Sequence, residues 1–250
     1  MAVDKERIDI LLVEAGFAAS QDRAQRLLLS GQVLVDDRVV DKAGARVSRA
    51  AAIRLRGEDH PFVGRGGLKL RGALDDLGLD VTGLRCLDVG ASTGGFTDCL
   101  LQAGAARVVA VDVGTNQLHW RLRTDPRVRS MEQTDIRRMS SADLGEPVDL
   151  VVVDASFVSL RLLLPPIAAL VAPGTPVLAL VKPQFEVDRS QVGKGGLVWS
   201  DKARLATVDA VADAAREAGF DEIARVESQL SGARAGNREV FLLVRLRAEC

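Results

Sequence analysis

A glycine-rich block, D-V-G-A-S-T-G-G-F-T-D, begins at Asp88, and its residue types could hold a cofactor. It follows the apolar run Leu84–Leu87, opens into the helical pattern Phe96–Ala103 and is succeeded by a second apolar run that ends in Asp112. A strand, a glycine-rich turn, a helix and a strand ending in an acid bind nucleotide-like cofactors, because the acid accepts hydrogen bonds from ribose hydroxyls. The alternative is a plain strand–helix turn, which would not need the acid.

The spacing of the glycines indicates which cofactor this would be. A dinucleotide site has G-x-G-x-x-G, which lets bare backbone approach a pyrophosphate. Here the spacing from Gly90 is G-x-x-x-G-G, and no G-K-[ST] follows. The loop therefore predicts a ligand with adenosine but without phosphates, and S-adenosylmethionine fits, with its ammonium near Asp88. The predicted cofactor-binding residues are Asp88, Gly90, Ala91, Ser92, Gly94, Gly95, Phe96 and Asp112.

Four ionisable residues stand near the predicted ends of other elements. Asp154 ends V-V-V-D, Lys182 ends L-A-L-V-K, Glu239 starts the last apolar run, and Lys69 lies ahead of the first strand of the sheet. Ligands of open α/β sheets bind beyond the carboxyl ends of the strands, so these residues are catalytic candidates. A lysine directly after a buried run is costly unless it is paired or used, although its ammonium could also extend into water.

The residues around Asp154 and the positions of the cysteines indicate which chemical group would accept the methyl group. The block D-A-S-F at Asp154 is a poor match to the Asn/Asp-Pro-Pro-aromatic element of amino-group methylation. Methylation of pyrimidine carbon 5 needs a cysteine nucleophile nearby, and none is placed for it among Cys86, Cys99 and Cys250. Methylation of a ribose 2′-hydroxyl needs a group that handles a weakly acidic alcohol, and lysine suits this when desolvation or a neighbouring cation lowers its pKa.

Strand and helix patterns alternate through the second part of the chain. Helices are predicted at Lys69–Leu77, from Phe96, from Asn116 to Leu122 and at Asp201–Ala218, the last with Leu205, Val208, Val211 and Ala212 on its apolar face. Strands are predicted at 84–89, 107–112, 127–131, 149–154, 177–181, 222–227 and 239–246. This alternation predicts an α/β fold with a doubly wound, seven-stranded sheet that ends in a hairpin.

The first sixty residues form a separate α+β pattern. A helix is predicted at Arg7–Ala15, and a second helix begins after the cap residue Ser20 and ends at Gly31. Short strands are predicted at 32–35 and 39–40, and the segment 47–55 closes the unit before G-E-D-H-P breaks the pattern. The predicted division is a first domain at 1–57, a linker at 58–63 and a second domain at 64–250.

The first unit resembles the ribosomal-protein S-four type of RNA-binding domain, on R-I-D-I-L-L-V-E-A-G and S-Q-D-R-A-Q-R-L-L-L-S-G-Q-V-L-V-D-D-R-V-V. In that family two short helices present basic side chains to RNA phosphates, and such contacts position RNA without reading its sequence. A solvated basic helix face is the alternative. The residues expected to bind RNA are Arg7, Arg23, Arg26, Lys42 and, in G-R-G-G-L-K-L, Arg65.

The second unit resembles the class I (Rossmann-like) methyltransferases. The order Lys69, Asp154, Lys182, Glu239 is that of the K-D-K-E tetrad of FtsJ/RrmJ-type ribose 2′-O-methyltransferases. With the blocks V-K-P-Q-F-E and G-N-R-E-V-F, nearly the whole chain resembles the TlyA (hemolysin A) family. The resemblance implies S-adenosylmethionine-dependent methylation of a cytidine ribose in ribosomal RNA. The short stretch after the last strand favours large-subunit RNA and leaves small-subunit RNA open.

Two further roles complete the predicted site. Asp135, in T-D-I-R after the third strand of the sheet, is expected to touch the adenine edge. Aromatic residues make up only 4% of the chain, so few side chains can stack on a base. Phe157 and Phe185, which follow Asp154 and Lys182, are the best placed.

Composition limits the other function classes. The net charge is −1, so an RNA surface must come from local clusters of basic residues. Three cysteines without a C-x-x-C pair indicate a reducing, cytoplasmic setting, and two distant histidines argue against a metal site. The sequence shows no secretory leader and no membrane-length run, which argues against a pore-forming toxin. A non-catalytic RNA-binding protein remains as an alternative function. A pseudouridine synthase is disfavoured, because that reaction would not use the cofactor loop. The sequence leaves the oligomeric state open.

Overall fold

The computed structural model describes residues 4–18, 20–36, 38–55, 60–193, 196–198, 200–232 and 237–248. The chain divides into two compact units, Met1–Pro61 and Phe62–Cys250. Residues 58 and 59 of the predicted linker lie outside the described residues. Its last two residues belong to the second unit, where Phe62 is buried and the Val63 backbone N–H donates to Asp98 Oδ2 at 2.7 Å.

The first unit is a small α+β structure with its own core. Its elements are β1 (Lys5–Arg7), α1 (Ile8–Glu14), α2 (Gln21–Leu29), β2 (Val33–Val35), β3 (Arg38–Val39), β4 (Arg46–Ser48) and β5 (Ile53–Leu55). Ser20 caps α2, because its side chain accepts a hydrogen bond from the Arg23 backbone N–H. Ile8, Leu12 and Leu28 are fully buried in the core of this unit.

The segment 47–55, which was expected to close the unit, falls in two strands that pair in different sheets. β4 pairs antiparallel with β1, which the sequence pattern did not reveal, and β5 pairs antiparallel with β2. Between them the chain turns, with the Ala51 N–H bonded to the Ser48 carbonyl and the Ala52 N–H bonded to Asp36 Oδ1. The turn satisfies backbone groups that a continuous strand would have paired elsewhere.

The second unit is built on one seven-stranded sheet, as predicted. Its strands are β6 (Arg85–Val89), β7 (Arg107–Val111), β8 (Val128–Met131), β9 (Leu150–Val153), β10 (Pro176–Val181), β11 (Phe220–Glu227) and β12 (Val240–Leu246). Their order across the sheet is β11-β12-β10-β9-β6-β7-β8. Strands β8, β7, β6, β9 and β10 are parallel, whereas β12 is antiparallel to both β10 and β11.

Helices cover both faces of this sheet. They are α3 (Gly66–Leu77), α4 (Gly95–Gln102), α5 (Trp120–Arg123), α6 (Ser141–Leu144), α7 (Leu164–Leu170), α8 (Pro183–Glu186) and α9 (Asp201–Glu217). Alternate strand residues enter two cores, one shared with α3, α4 and α5 and the other with α6, α7 and α9. Burial on both faces explains why the central strands are continuous apolar runs. In the described part of the chain, no helix is long and apolar enough to cross a membrane.

Two predicted details of this unit are wrong. The helix expected from Asn116 begins only at Trp120, because Asn116 has a left-handed backbone and Glu132 accepts the N–H groups of residues 116–118. Leu205, placed on the buried face of α9, is 53% exposed, whereas Val208 and Val211 are buried as expected.

Candidate active site

The glycine-rich turn after β6 has a backbone that requires glycine at position 90. Gly90 has φ +84°, and a Cβ there would lie 2.9 Å from the Asp154 carbonyl oxygen. The backbone N–H groups of Gly90 and Ala91 both donate to the Val111 carbonyl, at 2.9 and 3.1 Å. The turn is therefore fixed between the carboxyl ends of three neighbouring strands, where only glycine fits.

Asp112 faces a cavity at the carboxyl edge of the sheet. The cavity measures about 490 Å³ and is lined by Gly90, Ser92, Asp112, Asp135, Asp154 and Phe157 among others. Asp112 Oδ2 accepts from the Ser92 N–H at 2.8 Å, and Oδ1 accepts from the Gly114 N–H at 2.7 Å. A carboxylate offers about four acceptor directions, so Asp112 can still bind ribose hydroxyls.

Asp135 also lines the cavity, but its carboxylate is already engaged. Arg137 donates to it from Nε at 2.9 Å and from Nη2 at 2.7 Å. These hydrogen bonds lower the pKa of Asp135 to about 2. The carboxylate is therefore ionised at neutral pH, and an adenine amino group would have to share it with Arg137.

Asp88 lies beneath the turn instead of lining the cavity. It is fully buried, and Thr97 Oγ1 donates to its Oδ2 at 2.6 Å. Its other oxygen, Oδ1, has no hydrogen-bond partner among the described residues. Burial, with help from Asp154 and Asp112, raises the pKa of Asp88 to about 7. An unpartnered buried acceptor suits a ligand cation, because a cation would stabilise the ionised form.

Asp88→Asn should raise the free energy of unfolding of the ligand-free protein by up to about 4 kcal/mol at pH 8. The unfolded chain ionises Asp88 near its ordinary pKa of 3.8, whereas the folded chain keeps the proton up to about pH 7. The free energy of unfolding of the wild type therefore falls as the pH rises from about 4 to about 7, and it changes no further above pH 7 on account of Asp88. Urea unfolding at pH 5, 6, 7 and 8 measures the difference, which should grow with pH up to 7. A constant difference at every pH would contradict the assignment.

The four tetrad residues form two ion pairs at the same edge of the sheet. Lys69, Glu239 and Lys182 are buried, and Asp154 is half-buried. Lys69 Nζ, on α3, donates to Glu239 Oε2 at 2.5 Å. Lys182 Nζ, at the end of β10, lies 2.7 Å from Asp154 Oδ1. The register of β10 and β12 pairs Val181 with Val240, which makes Lys182 and Glu239 neighbours across the two strands.

The position of α3 brings the two pairs together. A Cβ at Gly66 would lie 3.4 Å from Asp154 Oδ2, so the first turn of the Lys69 helix touches the other pair. Glycine at 64, 66, 67 and 95 permits this approach: a Cβ at Gly95 would lie 3.0 Å from the Gly67 nitrogen. The block G-R-G-G-L-K-L therefore packs α3, which carries Lys69, against the glycine-rich turn after β6. The sequence analysis had not assigned this role to the block.

Ser156 and Glu186 are site residues that the sequence analysis missed. Lys182 Nζ donates to Ser156 Oγ at 2.8 Å, so this serine is a second anchor for the lysine. Glu186 is buried and accepts from Ser159 Oγ at 2.5 Å and from the Leu160 N–H at 2.6 Å. Both lie in the quoted blocks D-A-S-F and V-K-P-Q-F-E. Nothing local in those blocks shows which partner each side chain takes.

Two phenylalanines stand at the mouth of the cavity. Phe157 is 83% exposed and has φ +66°, an uncommon backbone for a bulky residue. Its ring centroid lies 5.2 Å from that of Phe185. The pair offers an aromatic surface beside Lys182, whose Nζ is 6.0 Å from the Phe185 ring.

The residues expected to bind RNA differ in their surroundings. Arg7 is held by Asp9, with Nε and Nη2 at 3.0 and 2.7 Å from the two carboxylate oxygens. Asp9 therefore neutralises much of the charge that Arg7 would offer to a phosphate. Arg26 and Lys42 are exposed and Arg23 is half-buried in the first unit, and Arg65 is exposed at the start of α3 in the second.

No cluster of three or more His, Cys, Asp or Glu side chains in the described residues could hold a metal ion. The two buried cysteines, Cys86 and Cys99, are free thiols. Burial raises the pKa of each to about 12, so neither forms a thiolate nucleophile near neutral pH. Cysteine-based pyrimidine methylation therefore finds no nucleophile in either of them.

Comparison with known proteins places both units. Residues 62–247 match the FtsJ-like methyltransferase family, and residues 6–53 match the S4 domain family. The chain is 43% identical over 246 residues to the 16S/23S rRNA (cytidine-2′-O)-methyltransferase TlyA of Mycobacterium tuberculosis, covering 98% of this chain and 91% of that protein. It is 41% identical over 145 residues to the 23S rRNA (cytidine-2′-O)-methyltransferase TlyA of Campylobacter jejuni, covering 58% and 55% of the two chains.

A solved structure has the same architecture. It is a Streptococcus thermophilus protein described as a hemolysin, with a TM-score of 0.76 and 39% sequence identity. The match covers 99% of this chain and 90% of that chain. The sequence resemblance, the seven-stranded sheet and the two family matches agree, and the chain belongs to the TlyA group of the FtsJ-like methyltransferase family, with an S4 domain at its N-terminal end.

Proposed function

We propose that the protein transfers a methyl group from S-adenosylmethionine to the ribose 2′-hydroxyl of a cytidine in ribosomal RNA. The observation that carries this proposal is the position of two neighbouring lysine–carboxylate pairs, one of which contributes Asp154 to the lining of the cavity that Asp112 faces. The names of the M. tuberculosis and C. jejuni relatives support the cytidine ribose as the acceptor. Such a substrate places the activity in the cytoplasm.

The residues around the cavity fit the proposed cofactor. Asp112 would hold the ribose and Asp135 would meet the adenine. Asp88 lies beneath the turn with its Oδ1 unpartnered among the described residues, so its charge would attract the methionine ammonium without lining the cavity. S-adenosylmethionine supplies an activated methyl group on a sulfonium, which is already a good leaving group. The protein therefore has to bind and align the ribose hydroxyl and to manage its proton.

Lys182 is the residue that would act on the ribose oxygen. An ammonium has three N–H groups. In Lys182 one of them donates to Ser156 Oγ, and the charge is paired with Asp154 at 2.7 Å. A further N–H remains for the 2′-oxygen, where the positive charge stabilises the negative charge that develops as the hydroxyl proton passes to solvent water. In its neutral form the same amine would accept that proton directly. Asp154 and Glu239 orient the two lysines.

The first unit and the aromatic pair would handle the RNA. Arg23, Arg26 and Lys42 are proposed to hold phosphates and so to bring the target near the site. The cytidine would leave its stack to reach Lys182, which costs a few kcal/mol. Stacking of the extruded base on Phe157 and Phe185 would offset part of that cost.

Methyl transfer from tritiated S-adenosylmethionine to unmodified ribosomal subunits tests the proposal. Large and small subunits are assayed separately, and the labelled RNA is digested to nucleosides. We expect label in 2′-O-methylcytidine from the large subunit, and label from the small subunit would extend the substrate range. Label on a base would contradict the lysine-centred chemistry. Absence of label from both subunits, with the cofactor still bound, would favour a non-catalytic RNA-binding role.

A further inference from the structure

Trp120, at the start of α5, is exposed beside the cofactor turn. Its side chain is 68% exposed, in a chain that has only two tryptophans and no tyrosine. The His119 ring lies next to it, with the centroids 6.0 Å apart and the planes tilted by 32°. Large aromatic surfaces are usually buried, so an exposed indole close to a site suggests a binding surface.

The segment that carries Trp120 is firmly attached to the cofactor turn. Leu118 and Leu122, on either side of it, are buried against Gly94. The His119 N–H donates to the Thr93 carbonyl at 3.1 Å. Glu132 accepts the backbone N–H groups that lead into α5, at 2.7 to 3.0 Å. The indole is therefore presented from a fixed backbone, and its ordering would cost little entropy on binding.

The surface around Trp120 is basic. Arg121 and Arg123 are exposed on the same short helix, and Arg123 pairs with Glu132 at 3.3 Å. For Arg121, the structure shows no side-chain partner among the residues it describes. The helix thus leaves at least one guanidinium available to an anion.

The same surface continues to the start of α3. Thr93, whose carbonyl bonds to His119, also contacts Gly64, since a Cβ at Gly64 would lie 2.7 Å from Thr93 Oγ1. The residue after Gly64 is the exposed Arg65. The segments that carry Arg65 and Trp120 therefore both adjoin Thr93, on the sheet face that carries the Lys69 helix. The exposed residues Arg65, Thr93, Trp120 and Arg121 are here called the Trp120 surface.

We propose that the Trp120 surface binds a single-stranded RNA nucleotide that flanks the target cytidine. The flanking base stacks on the Trp120 indole, and Arg121 and Arg65 hold the adjoining phosphates. The proposal rests on the proposed function, because extrusion of one nucleotide unstacks its neighbours and exposes their faces. An aromatic face combined with arginines matches single-stranded nucleic acid in shape and charge.

Tryptophan fluorescence tests the contact directly. A Trp199→Phe variant leaves Trp120 as the sole tryptophan, and it is titrated with an oligocytidylate that carries no ribosomal target. We expect quenching of the emission that saturates and weakens with added salt, as base stacking and phosphate contacts require. Quenching by anionic phospholipid vesicles but not by RNA would overturn the proposal.

Steady-state kinetics test its role in the reaction. Trp120→Ala should raise KM for RNA by roughly 10-fold without changing the affinity for S-adenosylmethionine, and Trp120→Phe should keep much of the RNA affinity. Leu205→Ala removes another exposed apolar side chain, on α9, and should change neither value.

The two proposals can fail separately. Active enzyme with unchanged KM in Trp120→Ala and no quenching would reject the Trp120 surface and keep the methyltransferase. Quenching of Trp120 by RNA in a protein that methylates no RNA would keep the surface and reject the proposed function.

Discussion

Replacement of Lys182 by alanine is expected to lower kcat for RNA methylation by about 1000-fold and to leave the Kd of S-adenosylmethionine nearly unchanged. The side chain is 90% buried, and its ammonium is directed by Asp154 at 2.7 Å and Ser156 at 2.8 Å. It does not line the adenosine cavity. Its loss therefore removes charge stabilisation at the ribose oxygen while the cofactor contacts stay in place. Single-turnover methylation and equilibrium binding of S-adenosylmethionine measure the two effects separately.

Three further variants show how Lys182 acts. Lys182→Arg keeps the positive charge but cannot accept a proton, so activity in this variant would assign an electrostatic role and its loss a basic one. Ser156→Ala should cost about 10-fold in kcat, because the hydrogen bond that orients the lysine beside Asp154 is lost. Lys202→Ala, at an exposed lysine on α9, is the matched control and should leave kcat unchanged. Wild-type turnover in Lys182→Ala would refute this role.

The strand–turn–helix unit that is proposed to hold the cofactor was predictable because its determinants are local. The turn after β6, its glycines and the acid at the end of β7 are close in sequence, and each has a steric or hydrogen-bonding reason that the residue type reveals. Strands β9 and β10 were equally clear, since burial on both faces requires unbroken apolar runs. The seven-stranded sheet follows from these runs and the helices between them.

The remaining features depend on partners far away in sequence. Glu132 binds backbone N–H groups up to 16 residues earlier, so the pattern at Asn116 could not show that the helix starts late. The K-D-K-E order gave the tetrad but not its pairing. Lys69 pairs with Glu239 across 170 residues, whereas Lys182 pairs with Asp154 and is anchored by Ser156.

Lys69→Ala is expected to destabilise the protein by about 3–5 kcal/mol, more than a surface lysine would. Glu239 is 2% exposed, and its Oε2 accepts the Lys69 ammonium at 2.5 Å. Removal of the lysine leaves a buried carboxylate without its cation, which costs more than the lost attraction alone. Thermal and urea unfolding of the single variant measure this loss.

The double variant Lys69→Met with Glu239→Gln separates stability from catalysis. It removes both charges at similar side-chain volume. Uncharged residues that replace a buried ion pair often leave the free energy of unfolding almost unchanged. We therefore expect it to regain most of the stability lost by Lys69→Ala. RNA methylation should stay at least about 100-fold below wild type, because the fixed charges beside Lys182 would be gone. Recovery of both stability and RNA methylation would show that the Lys69–Glu239 pair is purely structural. The catalytic residues would then be Lys182 and Asp154 alone. Recovery of stability alone would show that the buried charges are retained for the reaction at some cost to the fold.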